Sequence, residues 1–175
     1  MFPTVYIADT SCISPLGFTV QKNWDALLAG QSGLKLQDVG AVKQVPAGSI
    51  DAAALDLQFQ ELGLQGTFTK LEKMMLLAAM PLVKKYQPTA RTAFVLSTTK
   101  GNIHALAQGL PAESLLTNLG HKLQQHLGIP NVPIVLSHGC VSGVLAVSVA
   151  KRLIQMGSYD NALVLAGDAL SEFVV

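Results

Sequence analysis

The sequence predicts an α/β layered fold, a sheet buried under helices on both faces. Three observations predict it. Short apolar segments at 93–97, 133–137 and 162–166 lack the in-and-out alternation of a sheet with one wet face. Stretches of helical period lie between them. Half of the 175 residues are apolar and only 13% are charged, against roughly 25% in an average soluble domain. Such a surface is expected to be covered by a partner, or to form part of something larger. With no internal repeat or low-complexity linker, residues 1–175 read as one domain.

The elements follow in order. Val5-Tyr6-Ile7-Ala8 is predicted as the first strand, and Ser14-Pro15-Leu16-Gly17 as a turn. A helix from Asn23 carries Trp24, Leu27 and Leu28 on one face, and Gly30 and Gly33 bracket its end. The stretch 34–66 is undecided, with one reading being a helix over 51–57. Thr69 and Glu72 have capping-box spacing, and the helix they open is apolar nearly all round, hence expected to be buried. Pro81 predicts a kink or an early stop in it. A strand at 93–97 ends in Thr98-Thr99-Lys100-Gly101, and a helix over 118–127 stops at Gly128. The strand at 133–137 leads through His138-Gly139-Cys140-Val141-Ser142-Gly143 into a helix reaching Met156, with Lys151 and Arg152 late in it and Gly157 beyond. A last strand, 162–166, precedes Gly167-Asp168.

Charge excludes several functions. The net charge is +1 and the twelve Lys and Arg are scattered, so electrostatic nucleic-acid binding is not expected. No apolar run approaches the roughly 18–20 residues that span a bilayer, and the opening Met1-Phe2-Pro3-Thr4 lacks the features of a secretory signal. The expectation is a cytoplasmic protein that does not bind membranes. In a reducing compartment Cys12 and Cys140 are not expected to pair. His104, His121, His126 and His138 show no metal-ligand spacing, so no metal site is expected.

The informative feature is a strand, a tight glycine turn, a cysteine and an apolar helix. This places Cys140 near the positive end of a helix, where free backbone N–H groups stabilise a thiolate and can hold an oxyanion. Gly139 permits a sharp turn and Gly143 a close approach by a ligand or another element. The competing reading is a cysteine packed as a small hydrophobe, and spacing alone leaves both open. Cys12 has no helix opening behind it and reads as structural. Lys151 is the first charge after Cys140, so the front of the helix is predicted to lie inside the protein, with Cys140 at the bottom of a pocket suited to a long apolar substrate.

Four segments together resemble a known family. Ser14-Pro15-Leu16-Gly17 with Trp24, Leu27-Leu28-Ala29-Gly30 and Ser32-Gly33 resembles the opening of β-ketoacyl-acyl-carrier-protein synthases, condensing enzymes of the thiolase superfamily. Phe94 through Gly101 is similar to the family's next core strand and turn, Gly139-Cys140-Val141-Ser142-Gly143 to its nucleophile segment, and residues 162–170 to the strand and loop after it. The resemblance implies the N-terminal lobe of a thiolase-like fold, a mixed sheet covered by helices with the nucleophile at the start of a buried helix. It implies a decarboxylating Claisen condensation with Cys140 as the acyl-accepting nucleophile, and with Gly139, Ser142 and Gly143 around the substrate. It implies no cofactor, an acyl carrier protein as partner, and a homodimer or ketosynthase heterodimer.

The sequence also departs from the family. His138 stands where a small residue is usual, and reads as a core or interface histidine rather than a base. The family's second half, with two histidines, a lysine and a glycine-rich loop, has no counterpart here, so the chain is expected to supply the nucleophile without the groups that drive decarboxylation. Two other readings stand beside this one. One is a non-catalytic lobe or partner subunit, which the presence of Cys140 disfavours. The other is a cysteine hydrolase, which His138 and the lack of a following Asp…His order disfavour.

Overall fold

The structure, a computed structural model, describes residues 3–174. Helix α1 (Val20–Leu28) precedes an antiparallel hairpin of β1 (Leu34–Val39) and β2 (Val42–Gly48), then α2 (Ala52–Gln60) and α3 (Lys70–Tyr86). From there strands and helices alternate: β3 (Thr92–Ser97), a short α4 (His104–Ala107), α5 (Leu116–Leu127), β4 (Ile134–Leu136), α6 (Ser142–Gln155) and β5 (Asn161–Ala166). The last three strands form a parallel sheet in the order β4-β3-β5. Parallel and antiparallel pairings are therefore both present, in separate sheets.

Strand β3 is central and buried along its whole length, which is why its sequence does not alternate. Its side chains still alternate in destination. Phe94 and Leu96 join Met75, Leu76 and Ala79 of α3 and Leu119 and Leu123 of α5 in one cluster. Ala93 and Val95 join Ala146 and Ala150 of α6 on the opposite face. Helices cover both faces of the sheet, as the pattern predicts.

At the start of α3 the Thr69 hydroxyl accepts from the Glu72 N–H, and the Glu72 carboxylate accepts from the Thr69 N–H at 2.9 Å. This is the predicted capping box. Glu72 also accepts from Asn102 Nδ2 and from Lys122 Nζ, both at 2.8 Å, so one buried carboxylate joins α3, α5 and the loop after β3. Asp51 caps α2, accepting from the Ala54 N–H at 2.9 Å, which agrees with the helical reading of 51–57.

The structure decides three points. Of the kink or early stop expected at Pro81, the early stop does not occur, since α3 runs on to Tyr86. Pro81 is exposed, so its ring lies outside the core that the helix packs against. Residues 5–8 form no strand, and Tyr6 and Ile7 are 81% and 76% exposed. This extended segment is tethered from its flanks, by Lys85 Nζ and the Tyr86 hydroxyl to Asp9 Oδ2 (2.7 and 3.1 Å) and by Gln155 Nε2 to the Pro3 carbonyl (3.0 Å). Apolar, β-branched residues favour a strand only where a free edge is offered, and no described edge reaches this segment. In α1 the apolar face points outward, with Trp24, Leu27 and Leu28 exposed and Asn23 and Ala26 buried. Asn23 turns inward because its Nδ2 donates to the Gly17 and Thr19 carbonyls at 2.9 and 2.8 Å, while its Oδ1 accepts from the Ser14 hydroxyl.

Candidate active site

The three parallel strands end on the same side of the sheet, where ligands of open α/β sheets bind. Ser97 at the end of β3 is in register with Leu136 of β4 and Ala166 of β5. The loops that follow these strands enclose a cavity of about 560 Å³. Gly139, Cys140, Ser142 and Gly143, the four residues singled out by sequence, all line it. Opposite them stand Ser97, Thr99 and Lys100 from the end of β3, and Ala166, Gly167 and Asp168 from the end of β5.

Cys140 lies in a 3-10 turn (Gly139–Val141) that runs directly into α6. Gly139 has φ +54°, and nothing lies within 4 Å of a Cβ placed on it. The backbone angle, not crowding, calls for glycine there. Gly143 is the reverse case. An added Cβ would meet only the Ala166 Cβ, at 3.8 Å, an ordinary contact. The protein's own packing does not require glycine at that position, and the room above it belongs to the cavity.

Ser142 is buried, and its hydroxyl is engaged inside the turn. It accepts from the His138 N–H at 2.7 Å and donates to the Gly139 carbonyl at 2.7 Å. The N–H groups of Val141 and Ser142 bond to the His138 and Gly139 carbonyls. Among the described residues the Cys140 N–H has no such partner.

The site is more open than the sequence suggests. The front of α6 was expected to be interior, yet Cys140 is exposed and Val144 is 75% exposed, with Val141 and Val147 also outside. Only the sheet side of α6, at Ser142, Ala146 and Ala150, is buried. The cavity is a cleft, not a tunnel with Cys140 at its bottom. Apolar residues around a helix record a demand for cover on every side, and the described residues supply it on one side alone. Cys12 is exposed too, so burial does not distinguish the two thiols; the cavity does.

No histidine lines the cleft. His138 is exposed among the described residues, and its backbone N–H donates to the Ser142 hydroxyl, which leaves the interface reading of its side chain in place. His126 stacks edge-on against Phe68 at 4.8 Å, and His104 Nε2 lies 3.4 Å from the Leu170 carbonyl. Among the described residues no cluster of three His, Cys, Asp or Glu could hold a metal ion, and no helix is long and apolar enough to cross a membrane.

Sequence reasoning overlooked Asp168. Its carboxylate accepts from Thr98 Oγ1 at 2.7 Å, from the N–H and hydroxyl of Thr99 at 2.9 Å each, and from the Lys100 N–H at 3.2 Å. It pins the ends of β3 and β5 together across the cleft. A signal existed, since an acid directly follows one apolar strand and two threonines directly follow another. That the two strands are neighbours is knowable only from the fold. Behind Asp168 lies a smaller cavity of about 150 Å³ reaching Ser14, Pro15, Lys70 and Met74. There Lys70 Nζ donates to Ser49 Oγ at 3.0 Å and to the Ile50 carbonyl at 2.5 Å, and burial holds its ammonium below the usual lysine range.

Comparison with known proteins bears on this geometry. Residues 136–174, the segment from β4 through the cysteine turn to the end of the described chain, match the family described as 3-oxoacyl-[acyl-carrier-protein (ACP)] synthase III. Among solved structures, the ishigamide ketosynthase/chain length factor is similar with a TM-score of 0.74 and 20% identity, over 91% of this chain and 51% of that one. A ketosynthase (ApeO) in complex with its chain length factor (ApeC) from Xenorhabdus doucetiae is similar with a TM-score of 0.74 and 22% identity, over 95% of this chain and 48% of that one. This chain thus spans about half the length of those it matches. Comparison with curated proteins gives no match. The fold is thiolase-like, the layered α/β architecture expected from the sequence.

Proposed function

We propose that this chain, which has the thiolase-like fold of ketosynthase structures, is the nucleophile-bearing lobe of a β-ketoacyl-acyl-carrier-protein synthase. The observation that carries this reading is the position of Cys140: an accessible thiol at the carboxyl ends of a parallel sheet, at the mouth of a helix, inside the segment that matches the synthase family. The unpartnered Cys140 N–H supports a share in an oxyanion hole.

In this reading the Cys140 thiolate attacks the carbonyl carbon of an acyl thioester on a carrier protein. A carbon–sulfur bond forms and the carbonyl oxygen takes up the negative charge; as the carbonyl re-forms, the bond to the carrier's sulfur breaks, and the departing thiolate takes up the proton that Cys140 gave up. A malonyl group on a second carrier then loses carbon dioxide. The electron pair of the broken carbon–carbon bond attacks the acyl-cysteine carbonyl, and Cys140 departs as thiolate. No imidazole lines this cleft, so the groups that assist decarboxylation are supplied by a second lobe or by a ketosynthase partner. That same unit would cover the exposed valines at the front of α6. No cofactor is needed at any step.

The test is intact-mass analysis after incubation with an acyl-carrier thioester. Wild type is expected to gain one acyl group and Cys140→Ala none; an adduct that persists in the mutant overturns the assignment. A second reading, a non-catalytic partner subunit of a ketosynthase pair, is supported by the likeness to structures of ketosynthases with their chain length factors. A wild-type chain that stays unmodified even beside a competent ketosynthase supports it.

A further inference from the structure

The Ser142 hydroxyl is placed to act on the nucleophile through the backbone of its turn. It is buried, and its two hydrogen bonds straddle Cys140, one from the His138 N–H and one to the Gly139 carbonyl, each 2.7 Å long. The turn contains Gly139 at φ +54° and His138 at φ −147°, ψ 50°, held otherwise by the Val141 and Ser142 N–H bonds to the His138 and Gly139 carbonyls. Nothing packs within 4 Å of a Cβ on Gly139, so side-chain contacts do not brace the turn from that side. The clamp sets the direction of the next peptide, which carries the Cys140 N–H.

We infer that Ser142 is a positioning residue, which holds the Cys140 peptide so that its N–H meets the oxyanion formed in acyl transfer. This deepens the proposed function and rests on it. The inference separates two reactions of one thiol. Attack on a thioester builds negative charge on oxygen and needs that N–H in place. Alkylation by iodoacetamide displaces iodide, builds no oxyanion, and reports only whether the thiol is accessible and nucleophilic.

The experiment follows both reactions at Cys140 by intact mass, using the full chain and an acyl-pantetheine thioester. Ser142→Ala is expected to slow acylation by about tenfold or more, as small misplacements of catalytic groups do, with alkylation within about threefold of wild type. Ser142→Thr and Ser142→Val share the same added bulk and differ in the hydroxyl, so they guard against a folding defect. Thr is expected to keep most of the acylation rate and Val to lose it. Equal acylation of the Thr and Val variants overturns the inference, as does a parallel loss of acylation and alkylation. A wild-type chain acylated elsewhere than Cys140, or not at all, overturns the underlying reading and the inference with it.

Discussion

Asp168 shows how one carboxylate can fix the shape of a site without being its nucleophile. Three of its four donors reach Oδ1: the Thr98 hydroxyl and the Thr99 and Lys100 N–H groups; the Thr99 hydroxyl reaches Oδ2. Thr98 is buried and its hydroxyl also accepts from the Gly101 N–H at 3.0 Å, so the carboxylate anchors a chain of bonds running into the loop. Truncation strips all four donors of their acceptor at once. Asp168→Ala is expected to cost about 2 kcal/mol or more, read from urea denaturation, and to slow acylation of Cys140. Asp168→Asn keeps an oxygen for three of the donors and should lose less than half as much. Equal losses for the two variants would mean that charge, not the acceptor geometry, is what matters.

At the scale of elements, α3 and α6 are both apolar and meet different fates. Helix α3 packs between the sheet and α2 and α5, with Leu71, Met75, Leu76 and Ala79 buried. Its Pro81 is exposed and has no N–H to bond the carbonyl one turn back. Pro81→Ala is therefore expected to raise stability by about 1–3 kcal/mol, seen as a higher denaturation midpoint with unchanged acylation; a loss of stability would mean that the proline shapes the packing of the last turns. Helix α6 packs on one side, where the small side chains of Ala146 and Ala150 meet Ala93 and Val95, with Leu153 beside them. The N-terminal segment and the outward face of α1 share its situation, since each leaves large apolar side chains exposed.

For the whole molecule, these uncovered surfaces explain the low charge content. The 13% of charged residues suits a body whose large faces are meant to be covered. Val144 follows Gly143, which lines the cleft, and Val144 and Val147 are both exposed. Val144→Lys combined with Val147→Lys is expected to reduce concentration-dependent association in sedimentation velocity while leaving circular dichroism unchanged. Association that is the same in wild type and double variant would place the sticky surface elsewhere, with α1 the next to test.

The sequence by itself determined the layered α/β class, the capping box at Thr69 and Glu72, and the strand–glycine–cysteine–helix order that marks Cys140. These depend on local chemistry, on propensity, period and spacing along the chain, and local chemistry is legible in order. Gly139, Ser142 and Gly143 line the same cleft as Cys140 because they flank it in the chain. Other facts depend on which segments become neighbours. Tertiary structure alone decided that β3 and β5 lie side by side, which brings Asp168 to Thr98 and Thr99. It decided that Asn23 and not Trp24 faces inward, because Asn23 finds two carbonyls and a hydroxyl there. It decided that residues 5–8 stay unpaired and that Cys140 opens onto a cleft. Hydrophobicity states what a surface prefers; only the fold states which surfaces are covered.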